Sequence, residues 1–171
     1  GITAAELVTI NALTNGEITL NDTDDTLTDS TADLVSAFTG TVTAYTGAIT
    51  INDNAATAIN ATDLSDIGGE TSGVVTVSNA IVISGTEAQV TAALVTTSTL
   101  VVAATAVVTI SDAATTAIDA SDLSAIGAKT SGVVTVSNAI AISGTTSQVT
   151  AALVTADTLV VAGSATVTIS N

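Results

Sequence analysis

One eleven-residue stretch constrains the fold of this chain more than any other feature, because Thr71–Ile81 (TSGVVTVSNAI) returns letter for letter at Thr130–Ile140. The two copies are displaced by 59 positions. A chain that repeats itself at such a period is expected to stack its copies, so that each copy packs mainly against its neighbours in the sequence.

Further segments repeat with the same displacement and extend the pattern over much of the chain. QVTAALVT occurs at 89–96 and 148–155, and TLVVA occurs at 99–103 and 158–162. A more distant copy lies 57 positions before its counterpart, since Leu7 matches Leu64 and Gly16 matches Gly73. The repeat therefore predicts one continuous architecture.

A strand opens each unit, because apolar and polar residues alternate there with a period of two, which is typical of a half-buried strand. The apolar positions of these six strands are Ile18/Leu20, Ile49/Ile51, Val75/Val77, Val108/Ile110, Val134/Val136 and Val167/Ile169. Consecutive strands lie too far apart in sequence for hairpins, so the spacing favours parallel neighbours joined by crossovers.

Short helices are predicted where a capping residue precedes an apolar run. The capping pattern or a close variant begins at Thr3, Ser30, Thr86 and Thr145, and Asn60 and Asp119 occupy the same place in the shorter units. Helices of about ten residues are marginal alone, so these must be held by packing. Gly16, Gly73 and Gly132 follow helices, where a left-handed C-terminal cap is expected.

Together these signals predict an α/β solenoid of right-handed, parallel β-helix-like coils, each with strands and one short helix. Long coils of about 33 residues alternate with short coils of about 26, at 17–48, 49–73, 74–106, 107–132 and 133–165. No linker divides residues 1–171, which indicates a single domain. Two placements of the segment TLVVAATA remain open, in a third sheet or as an extra edge.

Composition limits the function classes. The net charge is −15 and the only basic residue is Lys129, which argues against nucleic acid and anionic membranes as partners. No apolar run is long enough to span a bilayer. The chain lacks His and Cys, and its recurring acidic residues lie at turns and helix starts, so no catalytic site and no enzyme activity are predicted.

A column of threonines is the most regular surface feature. It comprises Thr19, Thr50, Thr76, Thr109, Thr135 and Thr168. Such residues are about 4.8 Å apart between neighbouring strands, a flat grid that could bind ice or another flat surface. The alternative is that threonine simply suits a solvated strand face.

An acidic loop, NDTDDTLTD, is the candidate metal site. Asp22, Asp24, Asp25 and Asp29 could supply oxygen ligands to calcium, although no EF-hand pattern is present. A solvated turn is the alternative, and no other cofactor is indicated. The Asn or Asp residues that close each first strand, among them Asn79 and Asn138, are expected to form side-chain ladders between copies.

The alternation of VTVSNA-like strands with TEAQVTAAL-like helices resembles the repeat regions of giant bacterial cell-surface proteins, of the cyanobacterial and β-strand-repeat adhesin type. The resemblance covers essentially the whole chain and rests on composition and cadence. It implies an extracellular or cell-surface location and a role as spacer, adhesive or matrix element. It transfers no functional residues.

The remaining prediction concerns the partner. The chain starts inside a repeat, which indicates an excerpt of a longer array. It opens with a helix that closes a short coil, and it finishes with a strand that opens another. Unpaired strand edges are templates for pairing. We therefore expect self-association by end-to-end stacking, with the C-terminal strand of one molecule near the N-terminal helix of the next.

Overall fold

The computed structural model describes residues 1–20, 26–40, 42–43 and 45–171. Within them the chain forms six α-helices and twelve short β-strands. The helices are α1 (Ala4–Asn11), α2 (Thr31–Phe38), α3 (Ala61–Gly69), α4 (Glu87–Leu94), α5 (Ala120–Gly127) and α6 (Thr146–Leu153). The strands are β1 (Leu27–Asp29), β2 (Ile49–Ile51), β3 (Ala58–Asn60), β4 (Val75–Val77), β5 (Val82–Gly85), β6 (Val101–Val102), β7 (Val107–Ile110), β8 (Ala117–Asp119), β9 (Val134–Val136), β10 (Ala141–Gly144), β11 (Val160–Val161) and β12 (Thr166–Ile169).

The described strands form three parallel sheets, and within each sheet the strands follow chain order. The first sheet has the order β1-β2-β4-β6, the central sheet β3-β5-β7-β9-β11 and the third sheet β8-β10-β12. Separate parallel bridges join Ile18 to Val42 and Tyr45 to Thr71. The prediction of an α/β fold with parallel strands is confirmed at this level.

Helix starts follow the capping signals. Thr3, Thr86 and Thr145 each form a complete capping box, and the Ser30 hydroxyl accepts from the backbone N–H of Asp33. The side chains of Asn60 and Asp119 make no such bond, although their backbones turn into α3 and α5 as predicted. A capping box satisfies two helix N–H groups reciprocally, which explains why such short helices begin at fixed residues.

The core is built from aliphatic side chains at the strand and helix positions that the periodicity marks. Buried residues form one cluster that extends from Ala4 to Val160. Successive helices contact one another in chain order, from α1 to α6. The chain's two aromatic rings, Phe38 and Tyr45, are both buried, with their centroids 6.4 Å apart. None of the helices in the described residues is long and apolar enough to cross a membrane.

Two strands that are equivalent in consecutive repeats, 59 positions apart, lie in two different sheets and not in the same one. Residues of β2 lie in the first sheet, their equivalents in β7 lie in the central sheet, and those in β12 lie in the third sheet. Likewise β3 and β5 lie in the central sheet, whereas their equivalents β8 and β10 lie in the third sheet. Each repeat thus contributes three strands to one sheet and two strands to the next.

This arrangement also places the segment TLVVA, whose position the sequence left open. Val101 pairs with Val75 in the first sheet, and the equivalent Val160 pairs with Val134 in the central sheet. The segment therefore adds a strand beside the opening strand of its own unit. As a result β6, β7 and β8 follow one another between α4 and α5, and the chain crosses from the first sheet to the third.

The predicted left-handed glycine caps are wrong. Among the described glycines only Gly40 has a φ in the left-handed region, so Gly16, Gly73 and Gly132 do not adopt it. Close approach explains two of them instead. A Cβ at Gly73 would lie 2.2 Å from the carbonyl oxygen of Gly47, and a Cβ at Gly132 would lie 2.1 Å from that of Ala106.

Candidate functional site

The six threonines of the predicted surface column do not form one column, and this part of the prediction is wrong. Thr50 and Thr76 are register partners in the first sheet, whereas Thr109 and Thr135 are partners in the central sheet. Thr168 lies in the third sheet. The physical reason is that equivalent strands of consecutive repeats lie in different sheets. The residue pattern of a single strand does not reveal this.

Two shorter rows of threonine remain, one in the first sheet and one formed by Thr109 and Thr135 in the central sheet. Thr28 pairs with Thr50, so the first sheet carries three adjacent threonines, and Thr28 was missed because its strand lacks the opening-strand pattern. The next position in that row is Val102. Thr19 is exposed and its hydroxyl lies 3.4 Å from that of Thr43.

The serines that flank the threonines, among them Ser78 and Ser137, form hydrogen bonds within the protein. The hydroxyl of Ser78 donates to the carbonyl of Ile51 at 3.1 Å, and that of Ser137 donates to the carbonyl of Ile110 at 3.0 Å. These bonds join neighbouring strands. These serines therefore stabilise the stack and leave fewer hydroxyl groups for a ligand.

Three of the four predicted calcium ligands, Asp22, Asp24 and Asp25, lie outside the described residues. Asp29 is described, and its Oδ1 accepts the backbone N–H of Ser30 at 2.9 Å. Within the described part of the chain no group of three or more acidic, His or Cys side chains is placed to hold a metal. The calcium hypothesis stays a prediction.

The residues that close the opening strands form contacts between neighbouring units of one repeat. The amide of Asn79 donates to the carbonyl of Asp53 at 2.8 Å, and that of Asn138 donates to the carbonyl of Asp112 at 2.7 Å. These bonds run from side chain to backbone. Contacts between these positions are therefore present, but the acceptor is a backbone carbonyl and not the neighbouring side chain, as the predicted side-chain ladder requires.

Acidic side chains of the short units also cap the preceding helix, which the sequence reading did not identify. Asp53 accepts the backbone N–H of Thr31 at 2.8 Å, and Asp112 accepts that of Glu87 at 2.6 Å. Both donors are the first residues of helices. An anionic acceptor is favourable there, because the helix N-terminus carries unsatisfied N–H groups and a partial positive charge. The repeated aspartates therefore have a structural role.

An open cleft is lined in part by Thr130, Asp157 and Lys129, which is the chain's only basic side chain. The Thr130 hydroxyl is buried and donates to the carbonyl of Ala106 at 2.5 Å, and it also accepts from the N–H of Gly132 at 3.0 Å. Thr71 makes the equivalent bonds with Gly47 and Gly73. These hydrogen bonds of the threonine, with the close backbone approach at the glycine, explain two of the three residues of TSG that both copies share.

One carboxyl group has a shifted pKa. The pKa of Glu6 is lowered from its ordinary value of 4.5, chiefly because the backbone N–H of Thr3 donates to the carboxylate and secondarily because the Thr3 hydroxyl does so. The group is fully exposed and belongs to the capping box of α1. Its carboxylate therefore serves as the second half of the capping box that starts α1.

The most unusual surface consists of apolar residues that are buried at equivalent positions elsewhere. Val167 and Ile169 of β12 are 45% and 51% exposed, whereas the equivalent Val108 and Ile110 are 0% exposed. At the other end of the described fold, Ile10 of α1 is 41% exposed. Within the described residues these side chains are therefore more exposed than their equivalents inside the stack, which include Ile67 as the counterpart of Ile10.

Comparison with protein-family models, with curated proteins and with solved structures found no match.

Proposed function

We propose that this chain is a structural and adhesive repeat segment of an extracellular surface protein, without enzymatic activity, that acts as an elongated spacer or matrix element. Its repeats would form a right-handed solenoid of parallel, β-helix-like coils. Strand-crossover-strand connections between parallel strands are almost always right-handed, which supports that hand.

The observation that carries the proposal is the ordered stacking of equivalent strands. Ile59, Ile83, Val108, Val134 and Val160 are successive register partners across the central sheet, and all are buried. Between each of these residues and the next, the chain forms one helix and one strand of another sheet. A stack that grows only by nearest-neighbour contacts can extend without limit, which suits a spacer.

The cell-surface location rests on the resemblance to bacterial surface repeats together with the acidic, lysine-poor composition. Labelling intact cells of the organism that produces the chain with an antibody against it would test this location. Signal from intact cells supports the location, and signal only after permeabilisation contradicts it.

Solution scattering tests the spacer role. We would compare the 171-residue chain with versions that carry one or two extra copies of residues 73–131, the 59-residue unit. A solenoid should lengthen by the same increment with each copy. A compact domain would instead grow as roughly the 0.38 power of chain length, so a radius of gyration on that curve would contradict the proposal.

A second candidate function is binding to ice or another flat surface through the threonine rows. The adjacent Thr28, Thr50 and Thr76 support it, because their spacing of about 4.8 Å is regular. Ice recrystallisation assays on the protein and on a Thr50→Leu variant would test it. Equal crystal growth with and without the protein would eliminate this function.

Calcium stiffening is a third candidate, carried by the acidic loop that includes Asp29 and the undescribed Asp22, Asp24 and Asp25. The test compares the melting temperature with calcium at about 5 mM, which saturates most weak extracellular sites, and with chelator. A rise in calcium supports the site, and identical transitions contradict it.

A further inference from the structure

A cleft recurs at the same place in two consecutive repeats. The later cleft lies between residues 127–132, at the end of α5, and the segment 156–159, which follows α6. The earlier cleft lies between residues 68–73 and the segment 97–100, 59 positions before. Their volumes are about 400 Å³ and about 450 Å³ respectively, within the range that small ligands occupy in proteins.

The opening of the cleft is a property of the fold and does not depend on where the sequence ends. The earlier cleft is followed by a complete further repeat, residues 107–165, and it is open nevertheless. The walls of both clefts are joined by the same close approach, because a Cβ at Gly68 would meet the carbonyl oxygen of Thr99 and one at Gly127 would meet that of Thr158. The side chains of the two clefts can therefore be compared position by position.

The two clefts differ in their charged side chains. Lys129 and Asp157 line the later cleft, whereas Glu70 and Ser98 stand at the equivalent positions of the earlier cleft. Lys129 and Asp157 are the only charged side chains in residues 123–171. The fold thus brings together the two opposite charges of this long segment, although they are 28 positions apart in the sequence.

Both charged groups of the later cleft are available to a ligand. Lys129 and Asp157 are exposed, and in the described part of the chain neither side chain takes part in a hydrogen bond or an ion pair. The neighbouring hydroxyl groups of Thr130 and Ser131 are already used, since both donate to backbone carbonyl groups of the preceding unit. A ligand in the cleft would therefore meet one ammonium and one carboxylate.

The chemistry of these two groups selects a ligand that carries both signs of charge. A lysine ammonium binds a carboxylate through charge-assisted hydrogen bonds, and an aspartate carboxylate binds an ammonium in the same way. The end of α5 at Gly127 adds to the second preference, because the C-terminus of a helix carries a partial negative charge. A ligand of net negative charge would be repelled by a protein of net charge −15, whereas a neutral zwitterion would not.

We propose that the later cleft binds a small zwitterion, an amino acid or a related compound, with its carboxylate on the ammonium of Lys129 and its ammonium on the carboxylate of Asp157. This site goes beyond the spacer role and does not depend on it. The earlier cleft, which has Glu70 and Ser98 instead, lacks the cation. One unit of the repeat is thereby specialised for recognition, and its counterpart is not.

Titration with a series of zwitterions tests the site. The probes are glycine, β-alanine, γ-aminobutyrate and ε-aminocaproate, in which the two charges lie progressively further apart, and amide chemical shifts in NMR spectra report binding. We expect the best member to bind with a Kd on the order of 1 mM, because charged contacts open to solvent are individually weak, and to shift the amides of residues 127–132 and 156–159.

Singly charged compounds are the control ligands in this titration. Acetate and methylammonium each satisfy one of the two groups, so they should bind about tenfold more weakly or less than the best zwitterion. Absence of binding by every member of the series would overturn the proposal. Acetate that binds as tightly as the best zwitterion would also overturn it, because Asp157 would then contribute nothing.

Charge variants identify the residues that bind. Lys129→Glu and Asp157→Ser introduce the residues that the earlier cleft already carries at these positions. We expect each variant to weaken binding of the best zwitterion about tenfold or more, the change that loss of one charge-assisted hydrogen bond brings. Asp122→Asn, which removes a charge that does not line the cleft, should leave the affinity unchanged. Equal affinity of the wild type and Lys129→Glu would refute the site.

The converse exchange installs the pair of charges in the earlier cleft. A double variant with Glu70→Lys and Ser98→Asp should bind two zwitterions per chain, with new chemical shift changes in residues 68–73 and 97–100. Because this result is a gain of binding, misfolding of the variant cannot produce it. A stoichiometry that stays at one would contradict the assignment of binding to the charge pair.

Failure of this inference can be told apart from failure of the spacer proposal. The titration measures the charge pair of one cleft, whereas the scattering experiment measures how the length of the molecule grows with added repeats. Constant increments in length without zwitterion binding would leave the spacer standing and remove the site. Binding together with compact growth would do the reverse.

Discussion

The carboxylate of Asp112 accepts a hydrogen bond from the backbone N–H of Glu87, 2.6 Å away, although the two residues belong to successive units of the chain. Asp53 makes the same contact with Thr31, and in the last unit Asn171 accepts the hydroxyl of Thr146 at 2.9 Å. One unit thus completes the helix of the unit before it. These contacts join each unit to the helix start of its neighbour.

Asp112→Ala should therefore destabilise the protein by about 1 kcal/mol, as the loss of a helix cap commonly does. Asp112→Asn keeps an oxygen acceptor and removes the charge, and the equivalent Asn171 also accepts a hydrogen bond from the first helical residue, although from the hydroxyl of Thr146. We expect Asn to lie between Asp and Ala in urea denaturation. An alanine variant as stable as the wild type would show that this contact contributes nothing.

Gly68 and Gly69 offer a matched pair at the end of α3. A Cβ at Gly68 would lie 2.2 Å from the carbonyl oxygen of Thr99, whereas one at Gly69 would meet nothing nearer than the Thr99 methyl at 3.8 Å. We expect Gly68→Ala to destabilise by about 1–3 kcal/mol through overpacking.

The neighbouring Gly69→Ala should be neutral or stabilising by up to about 1 kcal/mol, because alanine restricts the unfolded chain. Chemical denaturation of the two variants side by side provides the measurement. If both alanines had the same effect, the close approach of α3 to the backbone at Thr99 would not explain the glycine.

Thr115 holds a left-handed backbone conformation, with φ of 69°, in the turn between β7 and β8. The equivalent Ala56 has φ of 63° in the previous repeat. A β-branched residue is strained there, so Thr115→Gly should raise the free energy of unfolding by about 1 kcal/mol. Thr116→Gly, one residue on and outside that region, should lower it, and thermal melts of both variants distinguish the two cases.

Acid should weaken the cap of α1 through Glu6. Its pKa is lowered in the folded protein by the bonds from Thr3, so its contribution is present above the ordinary value of 4.5 and is lost as pH falls through the folded value. Glu6→Gln removes that dependence, and Gln89 and Gln148 already serve in the equivalent boxes.

We expect the stability of the wild type relative to this variant to decline between about pH 6 and pH 3. Melting temperatures at matched ionic strength measure the difference. A difference that is constant over this range would mean that the Glu6 carboxylate makes no net contribution to folding.

Local signals in the sequence located most elements. The capping residues Thr86 and Thr145 fixed the start of α4 and α6, and the alternation around Val75 and Val134 fixed β4 and β9. Both signals depend on contacts within a few residues or on one buried face. Both signals can therefore be recognised in the sequence without knowledge of the tertiary structure.

The sheet to which a strand belongs could not be predicted in the same way. Thr76 and Thr135 have identical flanking residues, yet Thr76 lies in the first sheet and Thr135 in the central sheet. The reason is that β6, β7 and β8 follow one another between α4 and α5 and lie in the first, central and third sheets. Likewise, nothing around Gly73 reveals that its constraint comes from the carbonyl of Gly47 rather than from its own backbone angle. Such contacts depend on distant segments.

The division of each repeat between two sheets has a mechanical consequence. A pulling force applied along the chain cannot extract one repeat alone, because β5 of that repeat is hydrogen bonded to β7 of the next over four register pairs. Rupture must shear strands that belong to both repeats. A tether made of such units would share load across each boundary, and its weakest points would lie where a sheet edge is left unpaired.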